Sequence, residues 1–272
     1  MTRAAVELSV VLPVYNEADN IPILWDELAA VLPRVTTSAE VIFVDDGSTD
    51  GSADIVEGLA KTDPRIRFIR FEANAGLSAA FYAGFQAARG RVVVSMDSDL
   101  QNDPRDIPLL LARLDSADVV VGWRQIRRDR WLRRISSTLA NRVRTRLTHD
   151  PVADSASSFR AMRRECVAAI PPYAGMHRFV PTLMKIAGFR VVEIPVSHRH
   201  RRFGASKFGV RNRALRAFVD LLAVRWMIRR RLRYKIAQQP CDLDAGESGT
   251  AARSQESRSQ ESRSQESREP SR

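Results

Sequence analysis

Cysteine is scarce in this chain of 272 residues: Cys166 and Cys241 are the only two, and they stand far apart. Their separation matches no zinc or thioredoxin spacing, so neither a structural disulfide nor a thiolate metal site is expected, and a reducing, cytoplasmic setting fits. Nowhere does the sequence hold the roughly 18 uninterrupted apolar residues of a transmembrane helix. The opening stretch, MTRAAVELSVVLPVYNE, has no long apolar core and no small-residue cleavage site, and it reads as a first strand rather than a signal peptide. Two phosphate-binding designs are missing as well. There is no GxxxxGK[ST] loop, and no GxGxxG follows the first strand, which removes the main support for P-loop and dinucleotide-binding readings. Acidic residues are outnumbered, 32 Asp and Glu against 43 Lys and Arg, and the net charge of +11 should attract nucleic acid, anionic lipid or phosphorylated substrates.

The first half repeats one pattern. Apolar runs (LSVVLPV, EVIFVDD, RIRFIRF, RVVVSMD, DVVVGWR) alternate with segments of helical spacing (NIPILWDELAAVL, SADIVEGLA, LSAAFYAGFQAA). Strands of this composition are covered on both faces, which predicts an α/β domain with a mostly parallel sheet flanked by helices. Ligands in such folds bind beyond the carboxyl ends of the strands. Acidic and amide groups stand at three of those ends: Asn16 and Glu17, Asp45 and Asp46, and Asp97 and Asp99. Single residues of this kind are usually turn formers or helix caps, and Asp50 and Asp106 are read as caps. A DSD sequence followed by Gln101 and Asp103 exceeds what a turn requires. In extended backbone, Asp97, Asp99 and Gln101 would share a side, and hard oxygen donors suit Mg2+ or Mn2+ carrying a diphosphate.

The ordered set VVLPVYNEADNI, VDDGSTDGS, NAGLSAAFYAGFQAARG, MDSDLQNDP and VVGWR resembles family 2 glycosyltransferases of the GT-A fold, a Rossmann-like architecture. The branch resembled most is the one that makes polyprenyl-phosphate sugars, over about Leu8 to Met227. The resemblance implies a nucleotide-sugar pocket lined by Pro13, Tyr15 and Glu17, with Asp45 and Asp46 near base and ribose. It also implies a DxDxQ metal site at Asp97, Asp99 and Gln101. Arg124 matches the arginine of a GSR element that reads GWR here, with Trp123 in place of the serine. Arg133, Ser137 and Asn141 fall at helical spacing on one face and resemble the R…S…N stretch of that branch. Asp154 and SSFRAMRR resemble its DxTSGFRxYRR element, with Ser158 in the glycine position. RRFGASK resembles its RxxGxSK loop, which makes Arg201 and Lys207 candidates for the acceptor phosphate or the donor diphosphate. No QxxRW motif of processive synthases is present, so one transfer per acceptor is expected.

The expected activity is therefore metal-dependent, inverting transfer from a UDP- or GDP-linked sugar to polyprenyl phosphate, with Asp99, Arg124, Arg133, Ser137, Arg201 and Lys207 at the chemistry. The competing readings are a family 2 transferase acting on a hydroxyl, which would need a base such as Asp154, and a non-catalytic basic module. Carboxylates at the rim gain nothing for polyanion binding, so a nucleic-acid partner is not expected. Residues 1–212 are expected to form the catalytic domain. Residues 213–238 are too polar to span a bilayer and are expected to form a basic amphipathic helix for an anionic membrane surface or a partner. Residues 239–272, with three SQESR repeats from Ser254 to Arg268, are expected to be disordered. The protein would sit peripherally on the inner face of the cell membrane, alone or with a separate transmembrane partner.

Overall fold

The computed structural model describes residues 6–124, 157–203 and 210–230, the side chains of Arg124 and of residues 210–218 excepted. The chain divides into two units, Met1–Arg230 and Arg231–Arg272, and every described residue belongs to the first.

Seven strands form one sheet: β1 (Leu8–Val14), β2 (Ala39–Asp45), β3 (Ile66–Arg70), β4 (Val92–Ser95), β5 (Val119–Arg124), β6 (Arg160–Arg163) and β7 (Val191–Val196). Their spatial order is β3-β2-β1-β4-β6-β5-β7. All run parallel except β6, which lies antiparallel between β4 and β5. The mostly parallel sheet and the first five strands match the sequence pattern to within a few residues.

The β-branched runs serve two cores at once. Val10, Leu12 and Val14 of β1 face one side with Val41 and Phe43 of β2, while Val11, Ile42 and Val44 face the other. On the first side, helix α1 (Ile21–Val31) buries Ile21, Leu24, Trp25 and Leu28 at the i, i+3, i+4, i+7 spacing of an amphipathic helix. Proline at its start lacks an N–H that the first turn would leave unpaired in any case. Helices α2 (Ser52–Thr62) and α4 (Ile107–Ala112) cover the same face through Val56, Ile107 and Leu110. On the second side lie α3 (Leu77–Ala87), α5 (Arg164–Ala168), α6 (Val180–Ala187) and α7 (Val210–Arg229). There the stacked rings of Phe81 and Phe85, Cys166, Met184, Leu221 and Val224 make up much of the core. Burial pushes the Cys166 thiol up to about 12, so it behaves as a small apolar side chain.

Strand order reverses between β1 and its neighbours: β2 and β3 follow on one side and β4 on the other. That reversal places a crevice at the carboxyl ends of β1 and β4. Pro13 widens it. The β1–β4 ladder ends at the Val11–Ser95 pair, and Pro13, with no N–H to offer, is the next position whose donor would have continued it. The Pro13 carbonyl instead accepts a hydrogen bond from the Ser98 hydroxyl at 2.7 Å. Among the described residues no helix is long and apolar enough to cross a membrane.

Candidate functional site

The crevice is walled by three loops that hold one another through backbone donors. After β1 the chain turns at Asn16, whose φ of 54° is the left-handed conformation that asparagine tolerates better than most residues. The Asn16 N–H donates to Ser48 Oγ at 2.9 Å, and its side-chain oxygen accepts from the Thr49 N–H at 2.7 Å. Glu17 N–H donates to Ser52 Oγ at 2.8 Å, and the Glu17 carboxylate accepts from the Asn20 amide. Asp50 accepts from the Ala18 and Ser52 N–H groups, so it braces the loop as well as the start of α2.

The two aspartates at the end of β2 have different situations. Asp45 is fully buried; one carboxylate oxygen accepts from the Ser48 N–H at 3.2 Å, and the other has no hydrogen-bond partner among the described residues. A buried acceptor left without a donor costs about 1–3 kcal/mol, a cost that a ligand donor would remove. Asp46 is committed to the protein. Its carboxylate accepts from the Ala75 N–H at 2.7 Å, from the Gly76 N–H and from the Asn74 amide. Burial pushes this carboxyl up, partly offset by those N–H donors, and Asp45 alongside adds to the rise. Between the aspartates and this loop sits Gly47, at φ 72°, where a Cβ would fall 2.7 Å from the Ala73 carbonyl carbon and the Asn74 nitrogen. No side chain fits there, and the loop before α3 can close directly onto Asp46.

The third wall follows β4. Strand pairing stops at Ser95, and Leu100 adopts φ 61°, so residues 97–101 form a turn and not the extended segment expected. The alternation argument for a shared face therefore does not apply. Asp97 is half-buried. Asp99 is buried: one oxygen accepts from the Gln101 N–H at 3.1 Å, and the other meets Arg201 Nη2 at 2.5 Å. Arg201 arrives on the segment after β7, which is stitched along the same turn. Arg199 N–H donates to the Gln101 carbonyl at 2.9 Å, Asn102 bridges His198, and Ser197 N–H donates to Asp106 Oδ2 at 2.6 Å. Asp106 thus ties β7 to the turn, and no side-chain bond of its own caps α4, contrary to the sequence reading. Arg199 joins Glu27 of α1, at 2.7 Å, to Asp103, at 2.6 Å. This brace was not singled out in the sequence, where Arg199 is one arginine in a basic run.

Burial alone would raise the Asp103 carboxyl; hydrogen bonds from Arg105 and Arg199 outweigh it and bring it down to about 2. A lowered folded-state value means that this contribution to stability is complete above the unfolded value of about 4 and is lost as pH falls toward 2. Asp103→Asn should accordingly flatten the acid limb between these pH values in an equilibrium unfolding series, with little change in its slope near neutrality.

Pro13, Tyr15, Glu17, Asp45 and Asp46 therefore stand at or just after the ends of β1 and β2, with Pro13 and Asp45 buried, and Asp97, Asp99, Gln101 and Arg201 on the segments that follow β4 and β7. Arg124 lies in β5 opposite Val196; its side chain lies outside the described residues, as do Arg133, Ser137, Asn141, Asp154, Gly204 and Lys207. Among the described residues there is no group of three or more His, Cys, Asp or Glu that could hold a metal ion.

Residues 9–170 match the family model described as Glycosyl transferase family 2. The chain is 35% identical over 235 residues to a dodecaprenyl-phosphate galacturonate synthase of Rhizobium johnstonii, covering 84% of this chain and 69% of that protein. Among solved structures it is similar to glucosyl-3-phosphoglycerate synthase of Mycobacterium tuberculosis in complex with Mn2+, UDP-glucose and phosphoglyceric acid. The TM-score is 0.61 at 21% identity, over 82% of this chain and 81% of that one. It is also similar to a mannosyltransferase of Pyrobaculum calidifontis in complex with GDP-mannose and Mn2+, with a TM-score of 0.55 at 21% identity over 82% and 69% of the two chains. These likenesses show the GT-A type of fold.

Proposed function

The chain belongs to glycosyl transferase family 2, and from that premise we propose that it transfers a sugar from a nucleoside-diphosphate donor to a polyprenyl phosphate at the inner face of the cell membrane. The catalytic work is assigned to residues 1–212. The observation that carries this reading is the meeting of Asp99 and Arg201 at 2.5 Å. A carboxylate suited to the donor's metal and a cation suited to an anionic acceptor converge on one point beside the switch-point crevice. The name of the relative from Rhizobium johnstonii supports the same acceptor class.

The donor set on the β4 turn fits Mg2+ or Mn2+. Asp97, Asp99 and Gln101 offer oxygen alone, and their small number suits an ion that keeps part of its shell for water and substrate phosphate. When bound there, such an ion would offset the charge that develops on the departing nucleoside diphosphate. On the opposite wall, the unpartnered oxygen of Asp45 offers an acceptor to a donor group of base or ribose. Asp46 shapes the pocket by holding residues 74–76 and leaves recognition to its neighbour.

The acceptor's chemistry explains why a rim of cations suffices. A phosphate monoester has a second pKa of about 6 and is mostly dianionic at neutral pH, so it needs guidance and not the general base that a hydroxyl would require. Arg201 and Lys207 steer it in this reading, with Arg133 and Ser137 carried by the resemblance and Arg124 on the leaving side. A phosphate oxygen bonds to the anomeric carbon as the bond to the diphosphate breaks, and the leaving group takes the electron pair, which inverts the configuration.

The test uses the purified full-length chain with Mn2+, UDP- and GDP-sugars, and either polyprenyl phosphate or polyprenol. Transfer to the phosphate alone, abolished by excess EDTA, is the expected result. Transfer to the alcohol alone, or undiminished transfer in chelator, overturns the reading.

A further inference from the structure

We infer that the outward face of α7, formed by Val219, Leu222 and Trp226, is a docking surface for an anionic lipid bilayer. Five large apolar side chains are exposed among the described residues, and three of them fall on this one helix: Val219 at 56%, Leu222 at 45% and Trp226 at 62% exposure. Their spacing, i, i+3 and i+7, puts them in a single stripe. The stripe is distinct from the face that holds the helix to the protein, where Leu221 and Val224 are buried and Met227 and Ile228 pack against the same core. Folding of the first unit thus uses one apolar face of α7 and leaves a second one exposed to water.

Charge selects the occupant. Arg225 and Arg229 lie on the helix beside the stripe, and Arg230 follows at its end. A further partner helix would be met best by an apolar face with neutral or mixed edges. An exposed stripe with a tryptophan, edged by arginine in a chain of net charge +11, is instead complementary in charge to an anionic membrane surface. Each such arginine near an anionic surface is worth about a fivefold gain in partition.

The inner side of the helix is anchored near the start of α3. Asp220, on the inner side of α7, pairs with Arg178 at 3.1 Å. It packs so closely on Gly175 that a Cβ there would fall 2.3 Å from its carboxylate. The Gly175 N–H donates to Ser78 Oγ at 2.8 Å, and that hydroxyl lies 2.7 Å from His177 Nδ1. Ser78 is in the first turn of α3, directly after the loop that holds Asp46 at the rim. Contacts within one unit thus run from the inner side of α7 to the first turn of α3. A docking face on α7 extends the proposed acceptor, a membrane lipid, to the surface by which the enzyme reaches it.

The experiment is vesicle co-sedimentation of the full-length chain. It compares phosphatidylcholine vesicles with vesicles that also contain phosphatidylglycerol, both made without polyprenyl phosphate. The wild type should bind the phosphatidylglycerol vesicles, with a blue shift of tryptophan emission that Trp226→Phe removes. Leu222→Ser with Trp226→Ser should weaken binding at least tenfold while lowering Tm by a few degrees at most, since about half of each side chain's surface is already in water. Arg229→Gln with Arg230→Gln should weaken it in the anionic vesicles specifically. The inference is overturned if the Leu222→Ser, Trp226→Ser protein binds like wild type or if the wild type stays in the supernatant. A wild-type dimer that this double variant converts to monomer would also overturn it, by showing that a second copy covers the stripe. Because the vesicles lack acceptor, a chain that binds them but transfers nothing to polyprenyl phosphate keeps the docking face and loses the acceptor assignment.

Discussion

Asp99→Asn is expected to lower turnover by about a thousandfold, roughly 4 kcal/mol of transition-state stabilisation. The substitution keeps the volume and the hydrogen-bond acceptor toward the Gln101 N–H but removes the charge that faces Arg201. A neutral amide is a poor ligand for Mg2+ or Mn2+, so the donor diphosphate would depart without its counter-charge. The sheet does not depend on this residue, because β4 ends at Ser95 and the hydrophobic cores on both faces are built from other elements. The measurement is single-turnover transfer together with Mn2+ binding followed by electron paramagnetic resonance. Normal transfer by a protein that no longer binds Mn2+ would separate Asp99 from the chemistry.

Arg201→Ala is expected to move two observables in opposite directions. Turnover should fall about a hundredfold, the usual effect of deleting one positioned charge at a reacting centre. Mn2+ should bind the substrate-free protein more tightly, since the guanidinium that occupies Asp99 Oδ2 would be gone. A purely structural arginine would predict the reverse, because loosening the turn would weaken metal binding and turnover together. Arg201→Lys should lie between, for an ammonium keeps the charge but loses the planar fork that meets a carboxylate or phosphate with two N–H groups.

The parallel core was legible because its physics is local. LSVVLPV, EVIFVDD and RVVVSMD carry apolar residues on both faces, and such runs can be satisfied only between two layers of helices. The aspartates at their ends were legible for the same reason, since a strand's carboxyl end is fixed once the strand is. What the pattern could not supply were relations between distant segments. Strand β6 is four residues long and contains a fully buried arginine, Arg160, whose guanidinium donates to the His177 carbonyl at 2.7 Å. Nothing in RAMR signals a central strand. Similarly, the resemblance puts Asp46 near base and ribose, and only the fold reveals that residues 74–76 take up its carboxylate. The extended geometry assigned to residues 97–101 failed because Leu100 enters the left-handed region, which periodicity cannot detect in a residue other than glycine.

The direction of β6 has a consequence for how such an enzyme can change over time. Strand β5 runs toward the donor rim and ends at Arg124, and β6 starts from that same rim with Arg160 beside Ser95. The excursion between them therefore leaves and re-enters at one end of the sheet, and it contains Arg133, Ser137 and Asn141. Its last residues are part of the sheet, since Ser158 and Phe159 accept from the Ser95 hydroxyl and the Gly122 N–H, so only the stretch before them can change length without touching a strand register. Changes of length there would alter the neighbourhood of the expected acceptor groups Arg133, Ser137 and Asn141 in sequence before they reached the strands or the aspartates at their ends.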